Sequence, residues 1–388
     1  MRKAKSILIK VLAIGVVLAV SCTAPYKKPK IEPRENGEFL GLRDLLASAQ
    51  ENTIDVLLVH GMCTHGKDWA EKAVVNLNSA IDGVQDVQLK EVAVDGTQVR
   101  LYQQKLTSPA GVVRANAIVW SPVLAPLKNQ LCYDQTSKSN ACTTSGLPQD
   151  KYPYDRAWLN AKFKDVMLND CLVDAIIYQG RARDAISEQL QKAIIQALGT
   201  VGKGAPDEKP LAVAAKEVTP LVVLTDSLGS KVTFDAIYKL ATNADTEMAA
   251  AGGQTFDRVA QVFMQANQIP LLALADQGID ETVTRKSIMD GYPPDPIDSL
   301  INKRGIFRAV KTPSMLRVIA FTDPNDLLSY ALLGAKRKVS YDVVDVIVSN
   351  ENTYLWMFEN PYAAHTTYGQ NAEVIKLIAC GNPIKSCE

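Results

Sequence analysis

Ile54–Val59 (IDVLLV) is a short, almost unbroken apolar run that ends at His60-Gly61. A run without alternation fits a strand buried on both faces of a parallel sheet. Ala115–Trp120, Val173–Tyr178, Pro220–Leu224, Val259–Phe263, Leu316–Phe321 and Tyr341–Val348 read the same way. Between them, apolar positions three and four apart predict helices over Ala157–Leu168, Arg181–Leu198, Ser227–Leu240 and Asn371–Ile378. The second of these carries the stripe Ile186, Leu190, Ile194 and Leu198, which suits a core-facing helix. Strands alternating with helices predict an α/β fold, with a mostly parallel sheet and helices on both faces.

Two stretches break this rhythm. Pro122–Asp155 is rich in Ser, Thr, Asn, Pro and Tyr and reads as a surface insertion. Gln268–Pro313 combines an apolar piece (IPLLALA) with a Pro-rich turn, and lies where a cap or lid could be inserted. No internal linker divides the rest, so 39–388 is expected to form one domain.

The N-terminus follows a different pattern. Arg2, Lys3, Lys5 and Lys10 precede the apolar run Val11–Val20, which is too short for a spanning helix of roughly 20 residues. A basic start and a short apolar centre read as a signal peptide over 1–21. Leu18-Ala19-Val20-Ser21-Cys22 resembles a bacterial lipobox, in which Cys22 becomes the lipidated first residue. Thr23–Glu38 is polar and Pro-rich and reads as a flexible tether, so 22–38 is expected to link lipid to domain. The residue after Cys22 is Thr23 rather than Asp. By resemblance to Gram-negative lipoproteins, that places the chain at the outer membrane, facing the periplasm.

Charge narrows the partners. The 42 basic residues balance 42 acidic ones. There is therefore no basic excess to neutralise nucleic-acid phosphates, and removal of 1–21 leaves the remainder mildly acidic. Anionic lipid is not expected to hold it by charge alone. Apart from Cys22 the cysteines are Cys63, Cys132, Cys142, Cys171, Cys380 and Cys387. An even number in an exported chain predicts disulfides. Closeness in sequence favours Cys132–Cys142 and Cys380–Cys387 and leaves Cys63–Cys171, with other pairings open.

The chemistry is expected where Pro220–Leu224 runs into Thr225-Asp226-Ser227-Leu228-Gly229-Ser230. Strand, sharp turn and helix are what an exposed nucleophilic serine needs, with small residues two positions to either side. Gly229 meets this, whereas Thr225 stands where glycine is usual. LTDSLGSKVTFDAI together with VLLVHGMCTHGKDW resembles the α/β-hydrolase superfamily in its esterase and lipase branches. The resemblance implies Ser227 as nucleophile and the backbone N–H groups of Met62 and Leu228 as an oxyanion hole. It implies His365 as general base, since His60 and His65 belong to the turn after the first strand. It implies an acid in Thr322-Asp323-Pro324-Asn325-Asp326, with Asp326 favoured over Asp323.

No metal or organic cofactor is expected. His60-x-x-Cys63-x-His65 lacks the further ligands of a zinc site, and neither a Walker A nor a GxGxxG signature is present. The expected activity is hydrolysis of carboxylic esters, lipid or other acyl substrates among them, through an acyl-enzyme. The alternative is a catalytically silent lipoprotein of the same fold that binds envelope components.

Overall fold

The structure is a computed structural model describing residues 28–33, 36–137, 139–143, 152–199, 208–276, 295–307, 316–332, 341–354, 357–383 and 387. In chain order its strands are β1 (Lys30–Glu32), β2 (Phe39–Leu40), β3 (Thr53–Val59), β4 (Lys90–Val92), β5 (Arg100–Ser108), β6 (Gly111–Val119), β7 (Leu221–Asp226), β8 (Val259–Gln265), β9 (Arg317–Thr322), β10 (Asp342–Ile347), β11 (Thr353–Tyr354), β12 (Phe358–Glu359) and β13 (Gly381–Asn382). The main sheet has nine strands in the order β1-β10-β9-β8-β7-β3-β6-β5-β4. From β10 to β6 every neighbour is parallel. The edges are antiparallel, with β1 on β10 and the β4–β5 pair beside β6.

The apolar runs are explained by two-sided burial. On β3, Ile54, Val56 and Leu58 join one core, while Leu57 and Val59 join the other. Each such side chain contributes roughly 1.5–3 kcal/mol when fully buried. One face is covered by α1 (Leu42–Ser48), α2 (Lys67–Ala80) and the C-terminal helix Ala372–Cys380. The other is covered by α3 (Arg183–Gly199), α4 (Leu228–Ala241) and α5 (Thr246–Asp257). The stripe Ile186, Leu190, Ile194 and Leu198 is buried in that second core. The chain is thus a mixed α/β protein with a large, mostly parallel sheet, as its pattern predicts. Among the described residues no helix is long and apolar enough to cross a membrane.

Two expectations are corrected. Val173–Tyr178 is helical, within Val173–Gln179. Asp174 and Tyr178, four apart, are buried while Ile176 is exposed, a helical rather than a two-residue period. This segment continues Trp158–Lys162 and the π-helical Phe163–Leu172 as one long helical stretch. Within Pro122–Asp155, short helical turns bury Leu124, Lys128 and Cys132, while most of the other described residues are exposed or half-buried. Within Gln268–Pro313, the helix Pro296–Phe307 buries Ile297 and Leu300 in the core that also holds α4. Residues 277–294 and 308–313, on which the cap reading also falls, lie outside the described residues. Finally, Lys30–Glu32, assigned to the tether, is the edge strand β1.

The β4–β5 hairpin was not legible in the pattern. In β5 the polar run Gln103-Gln104-Lys105 interrupts Leu101, Tyr102 and Leu106, and pairing with β6 along its whole length supplies what alternation lacks. Cys132–Cys142 and Cys380–Cys387, the pairs that sequence proximity favours, are disulfide-bonded, and so is the pair left over, Cys63–Cys171. Cys22 lies outside the described residues.

Candidate active site

The carboxyl ends of the parallel strands carry the loops that bear Ser227, His60 to His65, Asp326 and His365. Ser227 stands between β7 and α4 with φ 51° and ψ −123°. A non-glycine residue at positive φ stores on the order of 1–3 kcal/mol and persists only where its surroundings enforce it. Here Ser227 N–H donates to Gln265 O at 2.7 Å, and Ser230 N–H donates to Ser227 O at 3.2 Å. Crowding sets the neighbours. A Cβ at Gly229 would lie 2.6 Å from the carbonyl oxygens of Val59 and His60, and one at Gly61 would lie 2.7 Å from Ser227 Cβ. Thr225, where glycine is usual, is fully buried and its Oγ1 is 2.9 Å from Ser230 Oγ. The larger side chain is accommodated by a hydroxyl pair that ties strand to helix.

Three distant residues meet at this turn. Ser227 Oγ is 3.0 Å from His365 Nε2. His365 Nδ1 is 2.8 Å from Asp326 Oδ1 and 2.9 Å from Oδ2. With Asp326 as acceptor, Nδ1 carries the proton and Nε2 is left free to accept one from Ser227. His365 lies on α6 (Pro361–Thr366), whose start is capped by Asn360 accepting from the N–H groups of Tyr362 and Ala363.

Asp323 and Asp326 have separate surroundings. Asp323 accepts the backbone N–H of Asn325 at 2.9 Å and of Asn350 at 2.6 Å, so it holds the turn. Burial raises its pKa, and Asp326 and Glu359 stand beside it. The Glu359 carboxyl is pushed up to about 7 by burial and by Asp323. Tyr368, which sequence reasoning missed, donates its hydroxyl to Asp326 Oδ2 at 3.0 Å and accepts Asp323 N–H at 2.7 Å. A lone Tyr beyond the histidine gives no pattern signal, and only folding brings it beside the acid.

The loop after β3 approaches from the other side. Gly61 lies against Ser227, Met62 follows it, and Leu228 opens α4, where first-turn N–H groups have no intrahelical partner. Cys63 takes φ 78° and is bonded to Cys171 on the long helical stretch. Thr64 Oγ1 donates to Asp170 Oδ1 at 2.5 Å, and buried Lys128 Nζ donates to Thr64 Oγ1 at 2.9 Å. Lys128 Nζ also lies 3.0 Å from Asp174 Oδ1, yet burial still lifts Asp174 to about 7. The loop is therefore clamped to 158–179.

His60 is a structural residue. Its Nδ1 donates to Gly61 O at 2.8 Å, and its Nε2 accepts the N–H groups of Trp120 at 3.0 Å and Ser121 at 3.2 Å. Burial, with His65 nearby, keeps its pKa well below the usual range. His65 sits in the same cluster, with its ring tilted 54° to that of His60 and 4.6 Å from it. Cys63, Asp170 and Cys171 are the one grouping of potential metal-ligand atoms among the described residues. Its two sulfurs form a single disulfide and so offer no thiolate.

Asp226 adjoins the nucleophile. It accepts a hydrogen bond from Trp69, and its Oδ1 has no partner among the described residues. Burial pushes this carboxyl up to about 6. No family model, no curated protein and no solved structure matches the chain.

Proposed function

We propose that the protein is a serine hydrolase of the α/β-hydrolase type, cleaving carboxylic esters through an acyl-enzyme. The observation that carries this is the unbroken chain from Ser227 Oγ to His365 Nε2 at 3.0 Å and from His365 Nδ1 to Asp326 at 2.8 Å. Strained turn, base and orienting acid together are the arrangement that activates a hydroxyl.

Ser227 Oγ attacks the acyl carbonyl while His365 Nε2 takes its proton. Asp326 keeps the imidazole in the required tautomer and stabilises the imidazolium without accepting the proton. Negative charge on the carbonyl oxygen is met by the N–H groups of Met62 and Leu228, a contribution of about 3–4 kcal/mol per donor in comparable sites. His365 then protonates the departing alkoxide. Water, deprotonated by the same nitrogen, attacks the acyl-enzyme and restores Ser227. All of this requires neutral His365.

Cys22 acylation at the outer membrane, with lipid or other acyl substrates, belongs to the same proposal. It is supported by the lipobox-like Leu18–Cys22 and by three disulfides, which suit an oxidising compartment. The test is labelling by a fluorophosphonate probe. Wild type is expected to label at Ser227, Ser227→Ala to remain unlabelled, and ester turnover to fall about 10⁴-fold or more in that variant. A well-folded wild-type chain that takes no probe would instead favour the non-catalytic binding lipoprotein.

A further inference from the structure

Strand β1 places the N-terminal approach of the chain on the same edge of the sheet as Ser227. Lys30 pairs with Ile347 and Glu32 with Asp345, antiparallel to β10. Since β10 runs parallel to β7 through β9 and β8, Ile347 lies at the carboxyl edge that also bears the elbow. Lys28 and Pro29, which lead into β1, therefore stand at that edge. Only seven residues separate Cys22 from Lys30. Fully extended they reach about 25 Å, against roughly 50 Å across a domain of this length. An anchor at Cys22 cannot let the opposite edge rest on the bilayer.

The loops on this edge expose large apolar side chains. Leu327 is 71% exposed, Met357 87%, Phe358 60% and Tyr362 44%. Single exposed apolar residues are ordinary, but these share one neighbourhood. Leu327 follows Asp326, and Tyr362 lies one helical turn before His365. Phe358 adjoins Glu359, whose Oε2 accepts the Asn325 side chain at 2.5 Å, which joins the β11–β12 hairpin to the acid loop. On β12, Glu359 is buried beneath while Phe358 faces outward.

We infer that this apolar rim docks onto the surface of the phospholipid bilayer that holds Cys22, so that the Ser227 site faces lipid. The inference rests on the acylation of Cys22 in the proposed function, but not on its chemistry. Charge adds little, because the chain without its signal is mildly acidic. Docking is carried by apolar side chains entering the interface, and neutral lipid suffices. Substrate would reach Ser227 from the membrane side.

The experiment uses the full, processed chain in phosphatidylcholine vesicles, with Phe358→Trp and, as control, Val84→Trp. Val84 is 76% exposed and bonds through its N–H to Thr107 O, beside the β5–β6 turn at the opposite edge. The fluorescence added over wild type is compared in ordinary and bromine-labelled phosphatidylcholine. At position 358 it is expected to fall about twofold with brominated acyl chains, and at 84 to stay unchanged. No quenching at 358, or equal quenching at both, overturns the docking. An N-terminal mass without acyl groups on Cys22 overturns it as well. Fluorophosphonate labelling of the same vesicles reports the hydrolase separately: quenching at 358 without labelling sustains the docking and refutes the catalysis.

Discussion

Ser227 is held at φ 51° by a turn in which neither Gly61 nor Gly229 has room for a side chain. The same crowding aims Oγ at His365, so backbone strain and chemistry have one origin. Asp323 and Asp326 look alike in sequence yet differ in what they touch, and their variants should differ accordingly. Asp326→Asn removes the acceptor for His365 Nδ1–H, and kcat is expected to fall about 10⁴-fold. Asp323→Asn keeps an acceptor for one of the two turn N–H groups and loses the other, a cost to the turn rather than to His365, and kcat should fall much less. Equal losses in a steady-state ester assay would contradict this division. Tyr368→Phe removes a donor to Asp326 and the acceptor of Asp323 N–H. A loss of about tenfold in kcat, or on the order of 1.4 kcal/mol, with KM little changed, is expected.

Elements place these residues through a few ties. The loop after β3 must keep Met62 against the elbow, and it is fastened to the 158–179 stretch through Cys63–Cys171 and through the Thr64, Asp170 and Lys128 contacts. Replacing both cysteines by alanine should lower stability by about 2–4 kcal/mol. It should also lower kcat for esters, since the oxyanion donors lose their fixed position. Denaturant unfolding and turnover at a temperature where the variant stays folded would read the two effects apart. Loss of stability with unchanged turnover would show that the clamp does not act on the site. The start of β3 shows a different tie. Buried Asp55 accepts Arg114 at 2.5 Å and Arg258 at 2.7 Å, which joins β3, β6 and the end of α5 at the edge remote from the site.

Over the whole molecule, buried carboxyls give stability a pH dependence of definite sign. Glu359 rises from 4.5 to about 7, and Asp226 rises from 3.8 to about 6. For each the folded chain holds a proton more tightly than the unfolded one. Their contribution is complete below the lower value and is lost as pH rises through the upper one. Glu217 runs the other way. Burial pushes its carboxyl up, but the Thr219 N–H and Arg114 outweigh this and hold it at about 2, below 4.5. That contribution is present above about pH 4.5 and lost as pH falls towards 2. Glu359→Gln should flatten the decline in melting temperature between pH 5 and pH 8 by about 2 °C, an effect on the order of 1 kcal/mol. A variant that declines as steeply as wild type would exclude Glu359 as a source.

By itself the sequence determined all but one of the segments it marked as buried on two sides, hence the parallel strands β3, β6, β7, β8, β9 and β10. It also determined where a serine could stand on a tight turn and which histidine remained available. These are local matters of apolar content, small residues and residue type. Tertiary structure decided what depends on distant partners. The segment Val173–Tyr178 is helix where it continues the helical stretch from Trp158, with Tyr178 and Asp174 inward and Ile176 outward. The polar β5 became a strand because β6 offered its hydrogen bonds. Asp326 rather than Asp323 came within reach of His365, and Tyr368 arrived beside both, because the loops after β9 and β10 converge on one edge. Periodicity records the face a residue turns inward, whereas a hydrogen bond between residues far apart exists only once the sheet has brought their loops together.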